Sequence, residues 1–597
     1  MTRTIRIGAA TAFFNDSRMG IAQLLAKTTA LDYIIFDFLS ESVMGGLGRG
    51  IAEGSGAGFA ADFIDGYILP HLPMLLGRGI RVIANAGGLD PAACAQALQQ
   101  AAANAGLNPR IGVVAGDNLT AQQSDFIGPE TADMFDGVSI RDTVARADRI
   151  NSLVAYTGAF PIAAALSAGA QIVITGRAVD SALALGALIH EFGWGPDDFD
   201  LLAAGTLVGH LLECSAQVTG GTFTDWHDVP DWAGIGMPIG ECQANGTFIL
   251  TKPPETGGLV SIGTVSEQLL YEVSDPQRYI VADVVCDFTD VRLERVGPDG
   301  VAVTGARGLG RTDTFKASLT YDAGWRATAL IPIIGLESGA KARRVGTEIL
   351  ARTETILRQS QLPPLLKKHC DVIGGTGEGS TTALCRLVAD HPDRAGAQVL
   401  VREQASAISH MSVGICLGLG ATVRPVQGIA GFLIPKSAVA QTVTVGEQPV
   451  AFSAPVDAKN SGHEGALPAF PPLPQDTVAD RTVPLIRLAW ARSGDKGNMF
   501  NVAVIARAPE YLPYIAAALT PERVGAHYGA VLDRDKPFAV DAFSVPGLSA
   551  LNFVVKDSMD GGVLANVSLD PVAKGMAQLL LDVPVAISAA LAARLGA

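Results

Sequence analysis

At 597 residues the chain is too long for one hydrophobic core, and roughly three to five domains are expected. Hydrophobic residues make up 48% and charged residues 17%, a balance that gives much buried surface and argues against disorder. A net charge of −15, with no basic stripe interleaved with aromatics, excludes nucleic acid as the expected partner but is compatible with a local site for a small anion.

The N-terminal stretch opens like a first β-strand and lacks the uninterrupted apolar segment of a signal peptide, so the expected location is cytoplasmic. Short apolar runs at Arg6 to Ala9, Tyr33 to Phe36, Arg81 to Ala84, Ile111 to Ala115 and Gln171 to Thr175 read as strands. Helical patterns fall between them at Ile21 to Thr28, Pro91 to Ala103 and Phe160 to Ala168. This alternation predicts an α/β lobe over residues 1–250, Rossmann-like, with a largely parallel sheet covered on both faces.

A second α/β lobe is expected over 251–453, with added β segments at Val260 to Val265, Tyr279 to Asp287, Val301 to Gly305 and Thr314 to Leu319. A long helix from about Gly339 to Ser360 follows, then a glycine-rich loop at 374–380 and a helix over TTALCRLVA. Met411 to Pro435 is apolar but broken by Arg424 and five glycines, so it reads as buried core rather than a membrane span. Residues 454–480 carry five prolines and form a linker or wrapping arm. Residues 481–597 suit a small α+β sandwich. Strands are expected in PLIRLAWA and FNVAVIARA around the polar turn Arg492 to Asn498, and again at Ala550 to Val555 and Val563 to Leu569. Helices are expected over EYLPYIAAAL, Ala573 to Leu580 and Val583 to Leu595.

Polar residues cluster where the predicted strands of the first lobe end. The clusters are Thr11 to Asp16, Asp37 to Glu41, Asn85-Ala86-Gly87-Gly88, Gly116-Asp117-Asn118, and Thr175-Gly176-Arg177 with Asp180. Ligands of parallel sheets bind beyond the carboxyl ends of the strands, so these five loops are expected to converge on one cleft. The competing reading is that they serve only as helix N-caps.

Further along, His210 and Glu213 share a helix face as a candidate base and orienter, with Cys214 pointing elsewhere and Gly220-Gly221 open to close approach. Lys252 stands in a rigid loop as a candidate partner for carboxylate or phosphate, and Tyr271-Glu272 belongs to the ionisable stretch after it. The loop at 374–380 matches neither the P-loop nor the dinucleotide fingerprint. No metal motif occurs, although a carboxylate-held Mg²⁺ stays open, and the seven unpaired cysteines read as reduced thiols.

Taken together, FDFLSESVM, NAGGLDP, ITGRAVDSALALG, HLLECSAQVTGG, the block from Lys252 to Val284 and GARG resemble the acyclic terpene utilisation (AtuA) family. RSGDKGNMFNVAVIARAPE and LNFVVKDSMDGGV are similar to the ferredoxin-like domain often fused to it. The resemblance implies degradation of branched acyclic terpenoids or related acids as coenzyme A thioesters, with coenzyme A entering as part of the substrate. A lyase or hydratase is the leading expectation. An aldol-type cleavage needs a general base and an enolate-stabilising group, for which Asp117, His210, Glu213 and Lys252 are available. Glu213 or His210 is the expected base and Asn85, with the Gly87 and Gly88 amides, the expected oxyanion donor. Asp16, Asp37, Glu41, Thr175, Arg177, Asp180, Gly220, Gly221 and Tyr271 are the expected ligand-binding residues. The alternatives are a hydrolase using Cys214 and a non-catalytic ligand-binding subunit of a degradation complex. A homo-oligomer is expected, without membrane or nucleic-acid partners.

Overall fold

A computed structural model describes residues 3–28, 30–145, 147–377, 379–416, 419–460, 468–473 and 479–596. Its centre is an eleven-stranded sheet. Five strands in the middle are parallel: β1 (Ile5–Thr11), β2 (Tyr33–Phe36), β3 (Arg81–Ala84), β4 (Ile111–Ala115) and β6 (Ile172–Thr175), side by side in the order β1-β2-β3-β6-β4. Every residue of β2 and β6 is buried, as a sheet covered on both faces requires.

The largely parallel sheet expected from the sequence is corrected at both edges. Ile239–Cys242, Phe248–Thr251, Gly300–Thr304 and Arg292–Gly297 add antiparallel strands beside β1, and Thr442–Val445 and Gln448–Pro449 add them beside β4. Tight turns, such as Gln243 to Thr247, join successive strands there, and a hairpin can only be antiparallel. Residue 250 falls inside one of these strands, so both halves of the chain build one sheet.

The strand β5 (Ile150–Ala155) leaves that sheet and pairs with Thr314–Ile334 in a second one. This 21-residue strand is the spine of an antiparallel sheet with Lys367–Gly374, Thr382–His391 and Ala421–Pro435, covered on one face by the helices Ser338–Gln359 and Arg394–His410. The expected helix over TTALCRLVA is the strand Thr382–His391: Ala383, Cys385 and Leu387 are buried while Leu384 and Arg386 between them are less so, which is strand periodicity. Conversely, the strand expected at Val260 to Val265 is the helix Ile262–Leu269. Ser261 and Thr264 cap it reciprocally, Ser261 Oγ accepting from Thr264 N at 3.2 Å and Thr264 Oγ1 from Ser261 N at 2.9 Å. Glu378, in the glycine-rich loop, lies outside the described residues.

The C-terminal domain is a four-stranded antiparallel sheet in the order Ala489–Lys496, Met499–Ala506, Ala550–Val555, Val540–Val545, with Leu512–Ala518 and Pro521–Val531 as helices. No strand forms over 563–569, and the helix expected at Val583 to Leu595 begins instead as the strand Pro584–Ser588, paired with Ala479–Pro484. Of the arm at 454–480, residues 461–467 and 474–478 lie outside the described residues. Its start is tied down by two ion pairs: Asp457 accepts from Arg311 Nη2 at 2.8 and 3.0 Å, and Lys459 reaches Asp197 at 2.6 Å.

Candidate functional site

The loops beyond β2, β3, β4 and β6 meet in a buried polar layer. Asn85 Nδ2 donates to Asp37 Oδ1 at 2.7 Å, and its Oδ1 accepts from Phe38 N at 2.7 Å. Asp117 Oδ2 accepts from Arg177 N at 2.6 Å, and a Cβ at Gly176 would overlap the Asp117 carboxyl. The Arg177 guanidinium pairs with Asp180 and lies 4.2 Å from the centre of the Tyr156 ring. Burial pushes the Asp117 carboxyl up to about 7. Burial, reinforced by the charge of Asp180, also holds Asp37 well above the usual carboxylate range.

Above this layer stands Glu41, first residue of the helix Glu41–Ala52, whose N-terminus is capped by Ser40. Tyr156 donates its hydroxyl to Glu41, and Lys316 Nζ lies 3.2 Å from Glu41 and 4.6 Å from the Tyr156 ring centre. Burial opposes the Glu41 charge, but Lys316, Arg177 and the Tyr156 hydroxyl outweigh it and hold this carboxyl far below its ordinary value.

On the other side, His210 is fully buried in the helix Phe199–Leu212, with its ring 5.4 Å from that of Tyr279 and 6.4 Å from that of Phe288. Its Nε2 faces the Leu269 carbonyl at 3.0 Å, a group that can only accept, so Nε2 carries a proton. Its Nδ1 is 3.2 Å from Glu213 Oε1, within ion-pair distance though not aligned as a hydrogen bond. Burial disfavours the imidazolium, yet Glu213 outweighs it and raises the His210 pKa.

The third wall comes from the C-terminal domain. Glu272 adopts a left-handed φ of 58°, a strained conformation for a side-chain-bearing residue, and its carboxylate meets Lys496 at 3.1 Å and Lys574 at 3.0 Å. Lys574 also touches the Tyr271 hydroxyl, and Arg492 lies 4.6 Å from the centre of the Tyr271 ring. The C-terminal sheet grips this segment by its backbone. Asn501 Nδ2 donates to the Leu270 carbonyl at 2.8 Å, and Asn552 Nδ2 to those of Val273 and Ser274 at 2.8 Å.

A cavity of about 240 Å³ opens between these walls. Glu41, Lys316, Glu272, Asp495 and Lys496 face it, and Phe135 closes one side. The cavity joins three parts of the chain, two sheets and the C-terminal domain, and its charged lining is five carboxyl side chains, Glu41, Asp133, Asp136, Glu272 and Asp495, with two lysines, Lys316 and Lys496, set among them. Such a site can hold a small anionic ligand on its lysines while a carboxylate moves a proton.

The model of the acyclic terpene utilisation family protein AtuA matches residues 5–445, and that of the AtuA ferredoxin-like domain matches 483–586. The chain belongs to the AtuA family. The family is one of acyclic terpene utilisation, a broadly catabolic role, and the C-terminal domain is its ferredoxin-like companion. No curated protein matches the chain.

In this AtuA-family chain the residues singled out in the sequence divide into three groups. Asp37, Asn85, Asp117, Thr175, Arg177, Asp180, His210, Glu213 and Tyr271 are not among the residues that line the cavity, whereas Glu41 faces it. A third group stands apart. Lys252 pairs with Asp299 at 3.2 Å and donates to the Thr256 carbonyl at 2.9 Å in a separate surface groove. Asp16 closes a local turn on Ala12 N at 2.8 Å. Gly220 and Gly221 close a turn on the carbonyls of Gln217 and Ala216.

The expected oxyanion donor set does not form either. Asn85 spends its amide on Asp37 and Phe38, and the Gly87 N–H donates to the Thr175 carbonyl at 3.0 Å. Nor is Cys214 placed as a nucleophile. Burial and then the nearby Glu213 and Glu272 push its thiol well above its ordinary value, and the His210 ring is directed at Leu269 and Glu213. Lys316 and Lys574 were not singled out by their sequence surroundings. The one local signal was the lone lysine in the otherwise uncharged TFKASLTY.

No helix among the described residues is long and apolar enough to cross a membrane.

Proposed function

We propose that the chain is a catabolic enzyme, a lyase or hydratase, acting on a small branched carboxylic acid or on the acyl end of its coenzyme A thioester. One observation carries this reading: Glu41, at the start of a helix, and Lys316, in the second sheet, face a common cavity with Glu272 and Lys496, so an ionised carboxylate stands beside cations with room for a small acid between them. A cavity of about 240 Å³ is below the roughly 300–1,000 Å³ that encloses a drug-sized ligand, which suits the acyl end with its carrier left outside.

In the lyase form of this reading, Glu41 takes the proton of a β-hydroxyl as the bond between the α and β carbons breaks. A ketone departs, and the electron pair becomes an enolate held by Lys316 and Lys496 until an acid protonates the α carbon. In the hydratase form the same base takes a proton from water or returns it. The layer of Asp37, Asn85, Asp117 and Arg177 orients this machinery from below.

The test is incubation of the full chain with branched β-hydroxyacyl-CoAs and the free acids, with products followed by mass spectrometry and binding by thermal shift. Turnover or a ligand-dependent rise in Tm that Lys316→Met abolishes is expected. Equal thermal shifts in parent and Lys316→Met, or no response to any of these acids, would overturn the reading.

A further inference from the structure

The ferredoxin-like domain does more than pack against the AtuA region. Its hairpin Ala489–Lys496 and Met499–Ala506 projects Asp495 and Lys496 to the cavity wall, where they face Glu41 across the opening. Close approach is built in, because Gly494 is the residue that lies against Tyr271 and Glu272. We infer that the C-terminal domain supplies the site's proton donor, the Asp495 carboxyl, acting opposite the ionised Glu41 of the large lobe. This inference rests on the proposed reaction and assigns its acid, so the active centre is complete only when both domains are present.

The two carboxyls sit in opposite surroundings. Glu41 is neutralised by Lys316 at 3.2 Å and receives the Tyr156 hydroxyl. Asp495 has Lys496 as its chain neighbour and Lys574 at 3.9 Å, but both lysines lie closer to Glu272, at 3.1 and 3.0 Å, which claims their charge. The charged groups around Asp495 are Glu272 and Glu41, which repel its charge, Lys496 and Lys574, which are already shared, and, in the same cavity lining, Asp133, Asp136 and the Lys316 that pairs with Glu41. Burial, followed by the charge of Glu272, raises its carboxyl to about 8. Two carboxyls driven apart in this way divide the labour of acid and base, and the one that keeps its proton at neutral pH is the donor.

The experiment has two arms, both on the full chain. Infrared difference spectra between the parent and Asp495→Asn report the carboxyl directly. A protonated-acid carbonyl band is expected at neutral pH, giving way to a carboxylate band above pH about 8. A difference spectrum holding only carboxylate bands at neutral pH overturns the inference. With a substrate found as above, Asp495→Asn is expected to lower kcat by about 10²–10⁴-fold with KM little changed, and to remove the alkaline limb of the kcat/KM profile. Unaltered kcat in Asp495→Asn also overturns it. Asp495→Ser serves as the second variant should the amide disturb folding. A protonated Asp495 in a protein that converts none of the acids would instead sink the proposed reaction, so the two failures are told apart.

Discussion

Arg326 and Asp390 form a buried two-point ion pair, at 2.7 and 2.8 Å, and the same guanidinium donates to the Asn566 and Ala565 carbonyls of the C-terminal domain at 2.7 and 2.9 Å. Both side chains are only 5% exposed. One arginine of the second sheet thus anchors the segment that carries Gly561, Gly562 and Val563 to the cavity. Arg386 and Lys367 repeat the device, donating to the Val567 carbonyl at 3.0 Å and the Ala565 carbonyl at 3.1 Å.

Removing one member of a buried pair strands the other charge, at a cost of about 3–5 kcal/mol. Arg326→Met is therefore expected to lower the urea midpoint strongly and to expose the segment at 560–574 to protease before the rest of the chain. Equal protease resistance in parent and variant would show that the anchor is dispensable.

Gly494 sets the contact between the domains. A Cβ there would come within 2.6 Å of both Glu272 Cγ and Tyr271 Cε2, so alanine forces the C-terminal strand away from the cavity wall. Overpacking of this kind costs about 1–3 kcal/mol. Gly494→Ala should lower Tm modestly while abolishing the ligand-induced thermal shift, because Asp495 and Lys496 move with the strand. A variant that loses stability but binds as the parent does would separate domain packing from the site.

Much of this arrangement could be read from the sequence, and the unreadable part has a physical reason. Strands β2, β3 and β6 are buried on both faces, so they stand out as apolar runs whose polar termini mark the loops at one sheet edge. Asp37, Asn85, Asp117 and Arg177 were legible for that reason. Lys316 was not, because its partner Glu41 is 275 residues away and nothing local announces the pairing. Lys252 misled in the opposite sense. Its charge is satisfied by Asp299, a residue brought near by the antiparallel edge hairpins that the parallel-sheet expectation lacked. The TTALCRLVA segment failed on period, its alternation being hidden by good helix formers.

Stability should fall with rising pH through the carboxyls that burial keeps neutral. Glu267 is 3% exposed and is raised by burial from 4.5 to about 8, despite the Thr224 N–H it accepts at 3.1 Å. Between those values the folded state keeps a proton that the unfolded chain has released, so each pH unit crossed costs about 1.4 kcal/mol until the folded pKa is passed. Glu267→Gln is expected to flatten the decline of the urea midpoint across this window and to gain stability over the parent at its alkaline end. Parallel curves for parent and variant would mean that Glu267 is ionised in the folded protein.

Cys214 decides between the lyase or hydratase reading and a thiol hydrolase. A nucleophilic cysteine needs a thiolate, and here burial with Glu213 and Glu272 alongside favours the protonated thiol. His210, one helical turn away, is engaged with Leu269 and Glu213 rather than with the thiol. Cys214→Ser should therefore retain kcat on whatever acid the parent converts, and iodoacetamide should label Cys214 more slowly than Cys370, whose thiol is lowered to about 7 by the adjacent Cys385. Loss of turnover in Cys214→Ser together with rapid labelling at Cys214 would transfer the chemistry from the carboxylates to sulfur.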